Sequence, residues 1–313
     1  MPISTQISAF APLASFPQAP AGPTDLGSWP HRAEVPFPVE PVFRVRPDLV
    51  KLGTAPLWIE DHLWPQWVAQ KHWLMGQARL PIAIAGLGAS MLEQLAGLVQ
   101  DAVAADHGPI DHHGGFRWLG GFRARNSEEF FSALTLSVQE DFVLMRPGAN
   151  GDLRAVLMSV AFPSGWSPEE KLGQSMIQIH QPVAENDALQ RATPAMSEAM
   201  LEKGPFVRYV WTLAGNDVLS RQPGADTLAD VSRVDQLWFR CERQVTVPLA
   251  GFACLFLIRV FVARLTDVLA APGRRDLLIQ SLQSMSESVI DYKGIARARR
   301  LILEQSSTVL KVS

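Results

Sequence analysis

The run DFVLMRPGANGDLRAVLMSVAFP, Asp141 to Pro163, constrains the fold more than any other part of this chain. Two apolar stretches flank Pro147–Gly151, and Asn150-Gly151 within that break is the dipeptide that best closes a β-hairpin. Strands joined this way pair antiparallel, because a parallel pair needs a crossover of a dozen or more residues. Three further strand-like runs follow, over Phe206–Leu213, Gln236–Val247 and Phe252–Leu265, the last two separated by a short turn. The expected class is therefore α+β, with helices packed on an antiparallel sheet.

Helical periodicity marks Ile59 to about Gln77 and then Ser90–Ala105, where Leu92, Leu95, Leu98 and Val99 recur at i, i+3, i+6 and i+7. Further helices are expected over Pro168–His180, about Ala188–Lys203, Arg274–Met285 and Gly294–Gln305. Residues 1–50 carry Pro17, Pro20, Pro23, Pro30, Pro36, Pro38, Pro41 and Pro47 without a sustained period, so they read as an extended N-terminal arm. Residues 51–313 read as one domain, for which 47% apolar residues supply enough core.

The net charge of −3 comes from 28 basic and 31 acidic residues without a basic concentration, which argues against a nucleic-acid partner. The two cysteines, Cys241 and Cys254, have neither metal-ligand spacing nor the density of a disulfide scaffold, and suit a reducing compartment. The N-terminus has no basic segment leading into an apolar one, and the longest apolar run, Val247–Ile258, falls short of the ~20 residues that span a bilayer. The expectation is a cytoplasmic protein without a membrane segment.

Chemistry concentrates in FPSGWSPEEKLGQSMIQIHQPV, Phe162 to Val183. Ser167 as N-cap, Pro168 at the first helical position and Glu170 at the third define a helix start. Leu172, Met176 and Ile179 form an apolar stripe, and Pro182 stops the helix at about His180, which extends the Met176 side of that stripe. Two readings of His180 stand side by side: a core histidine satisfied by a backbone carbonyl, or a metal ligand held at a helix terminus. In Gln236–Val247, alternation puts Arg240, Glu242 and Gln244 on one face and Arg243 on the other, while Arg259 lies within a wholly apolar run and requires a partner. Glu242 reads as one half of a structural ion pair or as a site for an ammonium group or a proton. The Asp106, His107, Asp111, His112, His113 cluster has metal-binding residue types but no helical pairing, and reads as a solvated loop. Trp166 is a candidate pocket residue or a core residue.

FPSGW, EEKLG and IHQPV resemble consecutive signatures of the haem-dependent oxidative N-demethylase family. LSVQEDFVLM, VRYVW, FRCERQ and DYKG resemble its other blocks in order, over roughly residues 50–305. The resemblance implies a PAS-like fold, a curved antiparallel sheet flanked by helices around haem b, with His180 as the axial iron ligand. It implies an O2-dependent monooxygenase that demethylates a small secondary amine and releases formaldehyde, using electrons from an external NADPH-dependent flavin/iron–sulfur reductase. A haem oxidase for another nitrogen compound and a haem- or gas-binding sensor are the alternatives. Arg208, Arg243 and Arg259 become candidate partners of the haem propionates, with protein carboxylates as the other possibility. Cys241 or Cys254 is the rival axial ligand, although both read more simply as packed thiols. Glu242 and Trp166 are the weak catalytic candidates. The chain departs from the family at Val210, where a polar residue usually precedes the tryptophan.

Overall fold

The computed structural model describes residues 7–10, 34–107, 124–221 and 223–309. Among them eight strands form one sheet: β1 (Ile7–Ala9), β2 (Val50–Lys51), β3 (Ile82–Ile84), β4 (Asp141–Pro147), β5 (Leu153–Ser159), β6 (Phe206–Ala214), β7 (Trp238–Leu249) and β8 (Ala253–Arg264). The helices are α1 (Trp64–Gly76), α2 (Ala89–His107), α3 (Ser127–Ser137), α4 (Pro168–Lys171), α5 (Met176–His180), α6 (Asp187–Glu202), α7 (Leu265–Val268), α8 (Arg274–Ser284), α9 (Glu287–Lys293) and α10 (Ala296–Val309). The strand order is β1-β3-β5-β4-β8-β7-β6-β2, open and antiparallel throughout. The class is α+β. No helix among the described residues is long and apolar enough to cross a membrane.

The hairpin around Asn150-Gly151 forms as its sequence dictates: Gly151 takes φ +76 and β4 pairs with β5 from Pro147↔Leu153 to Phe142↔Ser159. Both neighbours of β7 pair along nearly its whole length, from Trp238↔Arg264 to Leu249↔Ala253 with β8 and from Phe206↔Thr246 to Ala214↔Trp238 with β6. One face of the sheet, bearing Phe142, Leu144, Leu157, Val245, Leu255 and Leu257, buries against α2 and α3 through Leu92, Leu95, Val99, Phe130 and Leu134. The other face, bearing Val143, Met145 and Met158, meets α5 and α6 through Met176, Leu189, Met196 and Met200.

Several expectations are corrected. The helix expected over Pro168–His180 is two short helices: Leu172 is extended, Gly173 takes φ +79, and Ser175 opens α5 with its own capping box to Gln178. The break is held by β5, since Gly173 N–H donates to the Ala155 carbonyl at 2.8 Å and Ala155 N–H donates to that of Gln174 at 3.1 Å. The pattern Ser175-x-x-Gln178 after a glycine is the signal for this second start. Within the N-terminal arm, Ile7–Ala9 is an extended edge strand on β3 and Phe10 is buried. The first helix begins at Trp64 rather than Ile59; the backbone N–H groups of Ile59 and Asp61 instead donate to the side chains of Glu140 and Gln139 at 2.7 Å each. Helix α9, capped by Ser286 and closed by Gly294 at φ +64, lies between the two C-terminal helices expected from the sequence.

Segment 56–61 is pinned by two buried arginines that face each other across β7 and β8, Arg243 and Arg259. Arg243 donates to the carbonyls of Pro56 and Leu57. Arg259 donates to the Ile59 carbonyl at 3.2 Å and to Asp61 Oδ2 at 3.0 Å, and stacks 4.1 Å from the Trp67 ring. Asp61 is held further by Gln139 Nε2 at 2.9 Å. Asp61→Ala would leave a buried guanidinium without its directly bonded carboxylate, a change that costs about 3–5 kcal/mol when one partner of a buried pair is removed. Urea unfolding of the variant is expected to show a loss of that size, whereas a loss below about 1 kcal/mol would mean that Arg259 is solvated like a surface pair.

Candidate functional site

On the α5/α6 face the sheet and helices leave a cavity of about 1490 Å³. That exceeds the ~300–1,000 Å³ usual for a drug-sized ligand, so it has room for a large planar group and a small molecule beside it. Its two halves differ because β7 and β6 carry polar residues where β8, β4 and β5 carry apolar ones. Val143, Met145, Met158, Phe256 and Ile258 line the apolar half from the sheet, with Met176, Leu189, Met196 and Met200 from the helices. Across β6 and β7 the lining rows are Arg208 opposite Gln244, Val210 opposite Glu242, and Thr212 opposite Arg240.

His180 ends α5 and lines this cavity half-buried. Its Nδ1 lies 2.8 Å from the Met176 carbonyl, which only accepts, so Nδ1 carries the proton and donates. That tautomer leaves the Nε2 lone pair free, with no partner among the described residues. Burial lowers the proton affinity of the imidazole, and the nearby positive charges of Arg208 and Lys171 lower it further, against the Met176 bond, which raises it. The ring is thus a neutral, oriented donor of one lone pair. The helix end itself is fixed by Lys171 Nζ donating to the Ile179 carbonyl at 3.1 Å and Asn186 Nδ2 to that of His180 at 2.9 Å.

Glu242 lies at the centre of the polar wall. Ser164 Oγ donates to one of its oxygens and accepts from Arg240 Nε at 2.7 Å, while Gln244 Nε2 donates to the other oxygen at 2.9 Å. Arg240 also donates to the carbonyls of Phe162 at 2.9 Å and Leu219 at 2.8 Å, so its N–H groups are engaged. Lys293, at the end of α9, donates to the Trp211 carbonyl at 2.7 Å and lies 4.9 Å from the Phe43 ring. Desolvation brings its ammonium down to about 8, partly opposed by Glu242. Burial lowers the proton affinity of Arg208 as it does that of Arg240, but the Arg208 Nε is buried without a hydrogen-bond partner.

The structure brings His180, Arg208, Glu242 and Trp166 to one cavity. It does not bring Arg243 and Arg259 there, because alternation turns them to the opposite face and segment 56–61 satisfies them. The partner of Arg259 is Asp61, not Glu242. Cys241 and Cys254 do not line the cavity either. Both are fully buried, and desolvation pushes Cys254 up to about 12 and Cys241 well above its usual value, so neither is a thiolate. Asp111, His112, His113 and the His107 side chain of the expected loop cluster lie outside the described residues, and the Asp106 carboxylate accepts from Leu57 N–H at 3.1 Å. Ser164 and Lys293 sit inside the FPSGW and DYKG blocks, but their roles depend on β7 and were not readable from local pattern. Arg221, which also lines the cavity, follows a loop with no periodic signal at all.

Among the described residues no three His, Cys, Asp or Glu side chains converge to hold a bare metal ion. A metal that carries its own in-plane ligands needs only one protein donor, and the Nε2 of His180 is such a donor. The apolar walls and the Arg208 guanidinium, whose Nε has no hydrogen-bond partner, suit a large flat group with acidic substituents. The family model described as haem-dependent oxidative N-demethylase, alpha subunit-like, matches residues 117–303, more than half of the chain.

Lys293 supplies a pH test of this electrostatic arrangement. Its folded value of about 8 lies below its ordinary 10.5, so between the two the unfolded chain binds the extra proton and stability rises with pH. Replacing it as Lys293→Met removes that rise. Measured by urea unfolding from pH 7.5 to 10.5, the wild type is expected to gain about 1–3 kcal/mol relative to the variant, discounted for the cavity's contact with water. Parallel curves would show that the ammonium is solvated.

Proposed function

We propose, from the premise that the chain belongs to the haem-dependent oxidative N-demethylase, alpha subunit-like family, that it is a haem-dependent monooxygenase removing a methyl group from a small amine. The observation that carries this reading is His180: a neutral imidazole whose Nδ1–H is locked on the Met176 carbonyl, with its other nitrogen free in an apolar, methionine-lined cavity. We read the sheet and its α5/α6 face as a PAS-like haem pocket, the haem as type b because no CxxCH attachment motif is present in the sequence, and the electron source as a separate reductase.

Haem, when bound, supplies the O2 activation that no side chain of this protein can provide. His180 would hold the iron, and Arg208, whose buried Nε lacks a partner, would take an acidic substituent of the macrocycle. The apolar lining excludes water from the oxidant. Overall, one oxygen atom of O2 is inserted into a C–H bond of the N-methyl group and the other leaves as water, consuming two electrons and two protons from outside. The carbinolamine so formed loses formaldehyde: its C–N bond breaks, the hydroxyl proton passes to nitrogen, and the shorter amine is released. Glu242, fixed by Ser164 and Gln244, is positioned to accept a hydrogen bond from an ammonium group in the cavity.

Haem-loaded protein supplied with electrons, O2 and an N-methyl amine is expected to release one formaldehyde per O2 consumed, and Glu242→Gln to lower kcat/KM about 10–100-fold, as loss of a charge-assisted contact does. O2 consumption that yields hydrogen peroxide and no formaldehyde with any N-methyl amine would contradict the reading.

A further inference from the structure

The cavity holds a second guanidinium whose Nε lacks a hydrogen-bond partner, and the haem reading does not use it. Arg221 is fixed through its backbone, its N–H donating to the Pro163 carbonyl and its own carbonyl accepting from Gly165 N–H, each at 2.9 Å. It thereby forms a parallel bridge with Ser164, the residue bonded to Glu242 and Arg240. Its side chain lines the cavity, and its Nε is buried with no hydrogen-bond partner. Burial lowers its proton affinity, and only Glu242 acts in the opposite direction. Glu242 is already bonded to Ser164 and Gln244, so it does not neutralise Arg221 by a direct contact.

Position separates the two free guanidiniums. Arg208 lies opposite Gln244 and near enough to His180 to lower its proton affinity. Arg221 lies near enough to Arg240 to do the same there. Gln244 and Arg240 are four residues apart on β7, roughly 13 Å at ~3.3 Å per residue. The Arg221 end therefore holds Arg221, Arg240 and Lys293, and Glu242 is the carboxylate that acts on all three. A simple alkylammonium would add a further cation to that group. A molecule with both an ammonium and a carboxylate adds no net charge to that group and gives Arg221 a carboxylate partner.

Resting on the reading of this cavity as the haem and amine site, the geometry points to Arg221 as a carboxylate-binding subsite, and so to an N-methylated amino acid as the substrate class, its nitrogen toward Glu242 and its carboxylate on Arg221. The carboxylate takes no part in the oxidation, which balances as before. Arg221 acts by binding one end of the substrate and so setting which methyl group enters the apolar half.

The test uses haem-loaded full-length protein, calorimetric titration with N-methylglycine and with dimethylamine, and a separate haem titration followed by absorbance. N-methylglycine is expected to bind the wild type at least about tenfold more tightly than dimethylamine, the difference a charge-assisted hydrogen bond makes. Arg221→Gln is expected to abolish that preference with haem affinity unchanged, and Arg221→Lys, which keeps the charge, to retain part of it. Equal binding of the two amines by the wild type would overturn the proposal. So would an Arg221→Gln variant that loses haem affinity instead, because Arg221 would then serve the cofactor. Failure of the haem reading itself is seen separately, as a wild-type protein that takes up no haem.

Discussion

Strand β7 carries charge on both faces and lies between two full-length neighbours, and the rest of the molecule follows from satisfying it. A buried strand with Arg240 and Glu242 on one side and Arg243 on the other is stable only if both sides supply polar partners. On the α2/α3 side the partner is segment 56–61, whose carbonyls take up Arg243 and whose Asp61 pairs with Arg259. On the other side it is Phe162–Ser164, which binds Arg240 through a backbone carbonyl and a hydroxyl. Asp141 ties the same segment from β4, its carboxylate accepting from Phe162 N–H at 2.8 Å and lying 3.6 Å from Lys71 Nζ.

This second fastening positions the chemistry. With Phe162–Ser164 fixed, α4 and α5 lie over the methionine-lined half of the cavity, and β5 sets the break between them by pairing with Gly173 and Gln174. His180 is then a residue at the end of a five-residue helix whose direction is set from outside the helix. Such a helix is too short to be stable by itself. The imidazole is oriented by tertiary contacts and by its own bond to the Met176 carbonyl, which a ligand to iron requires if its lone pair is to point consistently.

The sequence made the framework legible where the signal was local. The Asn150-Gly151 turn, the N-cap bond from Glu170 N–H to Ser167 and the strand alternation each depend on neighbours within a few residues, and each is realised. Alternation also separated Glu242 from Arg243 correctly. What it left open was which face would be the cavity, because that is decided by helices distant in sequence; so Arg243 and Arg259 stood as equals of Arg208 until the structure placed segment 56–61 beneath them. The continuous helix expected over Pro168–His180 failed for a similar reason. The apolar stripe Leu172, Met176, Ile179 fits one helix, but Gly173 and the capping box at Ser175 allow a break, and the stretch of β5 that β3 does not reach takes it. Arg221 could not be found at all, since its role depends on a bridge to Ser164 across more than fifty residues of sequence.

The central claim is that a single histidine at the end of α5 gives this cavity its cofactor. Absorption-monitored titration of the purified protein with haem tests it most directly, comparing the wild type with His180→Ala. The account predicts a Soret band saturating at one haem per chain, with affinity in the variant reduced by more than the roughly 10–100-fold that loss of an outer partner of a metal ligand costs. A variant that binds haem with the wild-type affinity and an unchanged spectrum would contradict it.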